Sequence, residues 1–254
     1  MIFHSILIFG CGNMGGAMLA GWLADGATPQ TFTVVDPYLE QAPAGVELLR
    51  TVPVGRRFDA VLLGVKPQVL DDVAPMLEPV LGGDTVLFSI LAGVELTSLA
   101  ARFPKAGAVV RIMPNLAAAI GKSPIALYDT GLDDASRAAV TALMQPLGTP
   151  EWLAAESEFD LVTALAGCGP GFVYRLDPAQ AQRLAVATVE GAAQLAAASP
   201  HSPAELARRV ASPGGSTQKG LDVLDADQAL LRLMQATLVA SRDRNAEMAA
   251  AARN

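Results

Sequence analysis

Six residues near the start of the chain, Gly10-Cys11-Gly12-Asn13-Met14-Gly15, restrict its fold more than any others. They match G-x-G-x-x-G, a weak pattern alone because glycines mark many tight turns. The surroundings supply the specificity. Ser5-Ile6-Leu7-Ile8-Phe9 before the loop is an apolar run with the character of a buried strand, and Ala17 to Ala24 after it has that of a helix. Phe32-Thr33-Val34-Val35 forms a second strand pattern that ends at Asp36, 21 residues beyond Gly15. Strand, glycine turn, helix, strand and terminal acid are the parts of a dinucleotide-binding βαβ unit. Gly10 permits the tight turn, Gly12 lets backbone approach a pyrophosphate, and Gly15 lets the helix pack on the sheet. Asn13 and Met14 complete the loop ahead of the helix, whose N-terminus favours an anion. All five are candidate cofactor-binding residues. Asp36 joins them, because a carboxylate there accepts hydrogen bonds from a ribose 2′-hydroxyl and repels a 2′-phosphate. No Arg or Lys follows within Asp36-Pro37-Tyr38-Leu39-Glu40. The cofactor is therefore NAD or NADP, with the charge of Asp36 leaning toward NAD.

Further strand patterns follow at Asp59–Val65, Thr85–Ile90, Ala108–Met113 and Ile125–Tyr128. Helical patterns fit between several of them, at Gln68–Leu77 and Leu96–Arg102. This alternation predicts an α/β fold, a Rossmann-type doubly wound parallel sheet. After about residue 153 the pattern changes, and from Glu156 no strand stands out. Asp177-Pro178-Ala179-Gln180 has the marks of a helix start. Leu184, Thr188, Gly191 and Leu195 then share one helix face. A last helix runs from about Gln228, with Leu230, Leu231, Met234 and Leu238 expected to point inward. The expected division is a dinucleotide-binding domain over 1–153 and an all-α domain over 154–254.

Charge bounds the partners. The chain carries a net charge of −7, with a pI near 4.8, which argues against nucleic acid and anionic membranes. No apolar run reaches the length of a membrane span. The first ten residues lack the basic segment of a signal peptide. Cys11 and Cys168 are too few for a disulfide framework, and Cys11 sits inside the glycine loop. A soluble, cytoplasmic protein is the expectation. The two histidines, His4 and His201, lie before the first strand and in a Pro-rich loop. No Cys, His and acid cluster has metal-ligand spacing, so no metal is expected.

A second glycine turn, Ser212-Pro213-Gly214-Gly215-Ser216-Thr217, suits a small carboxylate. Backbone N–H groups at such a turn bind anions without a buried lysine, and the hydroxyls of Ser212 and Thr217 add donors. Pro-Gly-Gly is also common turn chemistry, so an ordinary capped loop is the alternative. Because the global field repels anions, an anionic substrate must be attracted locally.

Other landmarks come in a defined order: Val65-Lys66-Pro67-Gln68, Ala92-Gly93-Val94, Arg111-Ile112-Met113-Pro114-Asn115, Gly167-Cys168-Gly169-Pro170-Gly171-Phe172, then Ser212–Thr217. With the opening loop they resemble the pyrroline-5-carboxylate reductase family, whose segments read V-K-P, R-x-M-P-N, G-S-G-P-A-F and S-P-G-G-T-T. The likeness is collinear over nearly the whole chain. The first loop is common to many families; M-P-N, G-x-G-P and S-P-G-G in this order are specific. The resemblance implies NAD(P)H-dependent reduction of the C=N bond of 1-pyrroline-5-carboxylate to L-proline, the last step of proline biosynthesis. It implies a small imino-acid substrate and a helical dimerisation domain, hence a homodimer or larger homo-oligomer. It places Ser212, Gly215, Ser216 and Thr217 on the substrate carboxylate. Lys66 and Pro67 would lie against the cofactor, with a solvated lysine as the alternative. Ala92, Met113 and Asn115 would line the nicotinamide side, where Asn115 serves either cofactor or loop. Thr163 takes the position of a family threonine near the imine. There its hydroxyl donates to the nitrogen or positions a water, unless it bonds its own i−4 carbonyl.

The chain departs from the family at three places. Leu116-Ala117 replaces Thr-Pro, which softens that loop, and Cys168 and Gly171 replace Ser and Ala. After Phe172 the family's helix continues for roughly a dozen residues, on the scale of a three-turn helix. Here Val173-Tyr174-Arg175-Leu176 runs straight into Asp177. Either the helix is shortened or a stretch is missing near Arg175. The need for about two to eight connecting residues favours the second reading.

Two other readings compete. A β-hydroxyacid dehydrogenase shares a Rossmann-then-helical plan but relies on a catalytic lysine in its helical region. The only lysine after Lys122 is Lys219, without the expected helix motif. A non-catalytic nucleotide-binding regulatory protein would bind cofactor without turnover.

Overall fold

The computed structural model describes residues 3–163, 166, 189–190, 193–194, 196–211 and 216–252. The chain divides into two compact units, Met1–Cys168 with Ser241–Asn254, and Gly169–Ala240.

The first unit is built on an eight-stranded sheet. Its strands are β1 (Ile6–Phe9), β2 (Phe32–Val35), β3 (Glu47–Leu49), β4 (Ala60–Leu63), β5 (Val86–Ser89), β6 (Ala108–Met113), β7 (Ser123–Tyr128) and β8 (Gly148–Trp152). Their order is β3-β2-β1-β4-β5-β6-β7-β8. β1, β2 and β4 are buried throughout, as expected for parallel strands covered on both faces. Alternate residues of β1 enter opposite layers. Ile6 and Ile8 join Met18, Trp22 and Val34 on one face, while Leu7 and Phe9 join Leu63, Leu70 and Leu77 on the other. The covering helices are α1 (Asn13–Ala24), α2 (Leu70–Leu77), α3 (Leu96–Arg102) and α4 (Asp134–Met144). α1 lies so close to the 3-10 turn Leu116–Ile120 that a Cβ on Gly21 would stand 2.1 Å from the Ala118 carbonyl oxygen.

The doubly wound sheet expected from the sequence is present, with three additions. β3, β8 and α4 were not foreseen, and β7 is antiparallel to β6, pairing Ile112 with Leu127. Only residues 114–122 connect β6 to β7. A parallel crossover needs a dozen or more residues, so this link can only reverse the chain.

No strand occurs among the described residues after Trp152. α5 (Phe159–Val162) belongs to the first unit. The second contains α6 (Pro203–Val210), capped by the Ser202 hydroxyl, and α7 (Ser216–Asp225). α8 (Ala229–Ala252) follows a break at Asp227 and Gln228, both with left-handed backbone. It passes from the second unit into the first at Ser241. Most of the large apolar side chains of its first half are exposed. Leu230, Leu231 and Met234 are 43%, 51% and 40% exposed, and Leu238 is half-buried. The periodicity marked an apolar face correctly, but no element of the second unit's described residues covers it. The helix start at Asp177, the face at Leu184 to Leu195 and the Arg175–Leu176 junction lie outside the described residues.

Candidate active site

The sheet reverses its winding between β1 and β4, and loops at the carboxyl ends of these strands form the crevice where α/β folds hold ligands. The glycine loop lies there, and each glycine has its own cause. Gly10 has φ +85°, and a Cβ on it would come within 2.9 Å of the Gly64 carbonyl oxygen. A Cβ on Gly15 would stand 2.7 Å from the Gly10 oxygen. A Cβ on Gly12 would meet nothing within 4 Å among the described residues, and the Gly12 backbone is extended. The chain's own packing thus requires Gly10 and Gly15, whereas the space at Gly12 remains for another molecule. Gly12 also precedes α1, whose start has no side-chain cap and no acid in its first turn. An open backbone with unpaired N–H groups fits a dinucleotide pyrophosphate.

Asp36 closes β2. Its Oδ2 accepts from the Cys11 amide (2.9 Å), and its Oδ1 accepts from the Tyr38 and Leu39 amides (2.8 and 3.0 Å). Burial pushes this carboxyl up, but the three amides and the charge of Arg50 outweigh it and hold Asp36 below the usual carboxylate range. Asp36 is thus ionised at neutral pH and ties the β2 turn to the glycine loop. Arg50, one residue past β3, donates from Nη1 to the carbonyls of Asp36 (2.9 Å) and Leu39 (2.6 Å). Burial, then the charge of Asp36, push the Cys11 thiol up to about 11, so it stays protonated and unreactive.

Lys66 is exposed ahead of the 3-10 turn Pro67–Val69, with Pro67 at its first position. Ala92 packs with Met113 and Phe159. The buried Asn115 is engaged within the chain, its Oδ1 accepting from the Ala117 amide (2.9 Å) and its Nδ2 donating to the Ala166 carbonyl (3.0 Å). The amide cap holds the Leu116–Ile120 turn, where the chain departs from Thr-Pro. Thr163 is buried, and its hydroxyl donates to the Phe159 carbonyl, 2.7 Å away. Ser216 and Thr217 open α7, with Thr217 exposed at the helix start. Ser212 and Gly215 lie outside the described residues. The glycine loop belongs to the first unit and Ser216 and Thr217 to the second.

Sequence reasoning assigned no role to three charged residues. Arg111 is 3% exposed, pairs with Glu156 (Nη1–Oε1 2.7 Å) and lies 4.0 Å over the Phe159 ring. The same Glu156 oxygen accepts from the Leu96 amide (2.7 Å), so one carboxylate joins β6 to the start of α3. Arg111 stands between Val110 and Ile112 in an apolar strand, a position that itself signals a paired buried charge. Arg50 gave no comparable signal.

A doubly wound sheet with an open glycine loop at its reversal is the architecture of a dinucleotide-binding protein of the α/β class. A pyrroline-5-carboxylate reductase of Pseudomonas aeruginosa is 33% identical over 264 residues, covering 96% of both proteins, and one of Methanosarcina acetivorans is 31% identical, covering 94% of this chain and 96% of the relative. The chain belongs to the pyrroline-5-carboxylate reductase family. The family description "Pyrroline-5-carboxylate reductase dimerisation" matches residues 156–248, and "NADP oxidoreductase coenzyme F420-dependent" matches residues 5–93. A solved pyrroline-5-carboxylate reductase from Coxiella burnetii superposes with a TM-score of 0.84 at 25% identity, covering 96% of this chain and 98% of that one. One from Plasmodium falciparum, solved with NADP bound, gives 0.83 at 20% identity with the same coverage. The stretch aligned with the P. aeruginosa relative is longer than this chain's 254 residues, so the chain is gapped against it.

Proposed function

We propose that this chain is a pyrroline-5-carboxylate reductase, which reduces 1-pyrroline-5-carboxylate to L-proline with NADH or NADPH. The observation that carries the reading is the open space at Gly12 beside an uncapped helix start, in a chain 33% identical over nearly its full length to a reductase of that name. When bound, the nicotinamide supplies the hydride. The glycine loop, Lys66 and Pro67 hold the dinucleotide, and Ala92, Met113 and Asn115 line its nicotinamide end. The turn Ser212–Thr217 holds the carboxylate at the start of α7 and overcomes the net negative charge locally.

Thr163 sits near the imine in this reading. Its hydroxyl proton is directed at the Phe159 carbonyl, which leaves the oxygen lone pairs as its free function. In this rotamer Thr163 accepts from an iminium N–H or a water instead of delivering a proton. The iminium form is the better hydride acceptor, so an acceptor beside that nitrogen favours the reactive species.

The dinucleotide domain occupies residues 1–153 and the helical dimerisation domain residues 154–254. The assembly is a homodimer or larger homo-oligomer, built on the exposed apolar face of α8. No helix among the described residues is long and apolar enough to cross a membrane, and the working compartment is the cytoplasm. Asp36 leans the cofactor preference toward NADH. Steady-state reduction of pyrroline-5-carboxylate with NADH and NADPH in parallel tests the proposal. Proline formed one-for-one with cofactor oxidised is the expected result. Cofactor binding without turnover would establish the non-catalytic reading instead.

A further inference from the structure

The lean toward NADH rests on a single charge, and the fold sets an opposite charge beside it. β2 and β3 run parallel with Val35 opposite Leu49. The next residues, Asp36 and Arg50, therefore leave the sheet side by side although 14 positions separate them. Arg50 is exposed, and its Nη1 holds both carbonyls of the Asp36–Leu39 turn. Its Nε and Nη2 donate no hydrogen bond among the described residues. Among the described residues it is also the only charged side chain lining an apolar cavity of about 510 Å³, shared with Val35, Pro37, Val52, Pro53 and Met76. A low-polarity wall screens a charge poorly, so its field reaches further toward the crevice. Asp36, for its part, already accepts three amide hydrogen bonds and carries Arg50 as a neighbour. The β2 turn is thus not the uncompensated negative site that its own five residues describe.

We infer that Arg50 is the group that admits a 2′-phosphate on the adenosine ribose. The guanidinium keeps one nitrogen on the turn carbonyls and presents the others as a fork, the geometry that matches phosphate. Asp36 and Arg50 then oppose each other: the carboxylate favours the ribose hydroxyl, the guanidinium favours the phosphate, and together they allow both cofactors. The inference rests on nicotinamide-dinucleotide binding but on no catalytic step.

The test is equilibrium binding without imino acid. NADH and NADPH are titrated by fluorescence, and AMP and adenosine 2′,5′-bisphosphate by calorimetry, on the wild-type chain, Arg50→Gln and Arg50→Lys. The wild-type chain should bind the bisphosphate more tightly than AMP. Arg50→Gln should abolish that difference and weaken NADPH by about ten- to a hundredfold, the worth of one charged hydrogen bond or more. NADH should change by less than about twofold, and Arg50→Lys, which keeps the charge without the fork, should recover part of the NADPH affinity. A wild-type chain that binds AMP as tightly as the bisphosphate would overturn the inference. So would an Arg50→Gln variant that retains NADPH affinity or loses both dinucleotides equally, the latter marking Arg50 as a support of the turn alone. A defect in turnover leaves these readings unaffected, so failure of the reductase proposal remains distinguishable.

Discussion

Replacing Gly12 with alanine separates a glycine required by the cofactor from one required by the fold. At Gly12 an added Cβ meets nothing within 4 Å, and the backbone has φ −71°, which any residue adopts. The folded chain therefore accepts the methyl group, while the unfolded chain loses freedom, a change worth about 0.4–1 kcal/mol in favour of folding. For a chain of this size about 1 kcal/mol moves the melting temperature by roughly 2–4 °C, so Gly12→Ala should melt unchanged or slightly higher. Cofactor binding should move the other way. The methyl group occupies the space the pyrophosphate needs, and each charged hydrogen bond displaced costs about 1.5–3 kcal/mol, or roughly ten- to a hundredfold in affinity. Gly15→Ala is the counterpart. Its Cβ would stand 2.7 Å from the Gly10 carbonyl oxygen, and overpacking of that kind costs about 1–3 kcal/mol, lowering the melting point by roughly 2–12 °C. Thermal denaturation and dinucleotide titration of both variants form the assay. If Gly12→Ala bound NADH and NADPH within twofold of wild type, or melted as low as Gly15→Ala, the space at Gly12 would not be the cofactor's.

Thr217→Ala should raise the KM for the imino acid more than that for the nicotinamide, by about ten- to a hundredfold for one charged hydrogen bond; equal weakening of both would indicate a folding defect. Asp36→Ser should shift the NADPH/NADH ratio of kcat/KM toward NADPH, and an unchanged ratio would remove the carboxylate as selector. Burial pushes the Asp160 carboxyl above its ordinary 3.8, with Arg111 and Arg242 pulling it down and Glu95 and Glu156 pushing it up. Its ionisation therefore opposes folding once the pH exceeds that raised value, and does not below 3.8, where both states hold the proton. Asp160→Asn should melt higher than wild type at neutral pH and equally below pH 3.8; a lower melting point at neutral pH would reverse the sign. Light scattering at micromolar concentration should give a dimer or a multiple of one, and a monomer would leave the α8 face unexplained.

The nucleotide half of the fold was legible because its strands are buried on both faces. Ile6–Phe9 and Ala60–Leu63 are continuous apolar runs, and the glycine loop between strand and helix fixes what lies at their ends. The edges were not legible for the converse reason. Glu47-Leu48-Leu49 is short and half-exposed, and Gly148-Thr149-Pro150-Glu151-Trp152 carries Gly and Pro, which read as turn residues. Missing β3 had a chemical consequence. The residues that follow Asp36 in sequence carry no positive charge, whereas the neighbour that offsets its charge, Arg50, arrives through strand pairing.

The helical half differs in kind. Helical periodicity states which side chains share a face but not what covers that face. Leu230, Leu231 and Met234 share a side of α8, and they stay exposed together with Leu233 and Val239. Grouped apolar exposure of this kind on one helix is uncommon for a monomer and typical of an interface. The dimerisation match spans residues 156–248 and includes that face, which is why a second copy of the chain is the cover we propose. A C2 interface is self-complementary, and one sequence therefore contains both of its sides. Within one chain the expectation that these residues point inward does not hold, because a pattern within one chain marks a shared face and cannot express what lies against it.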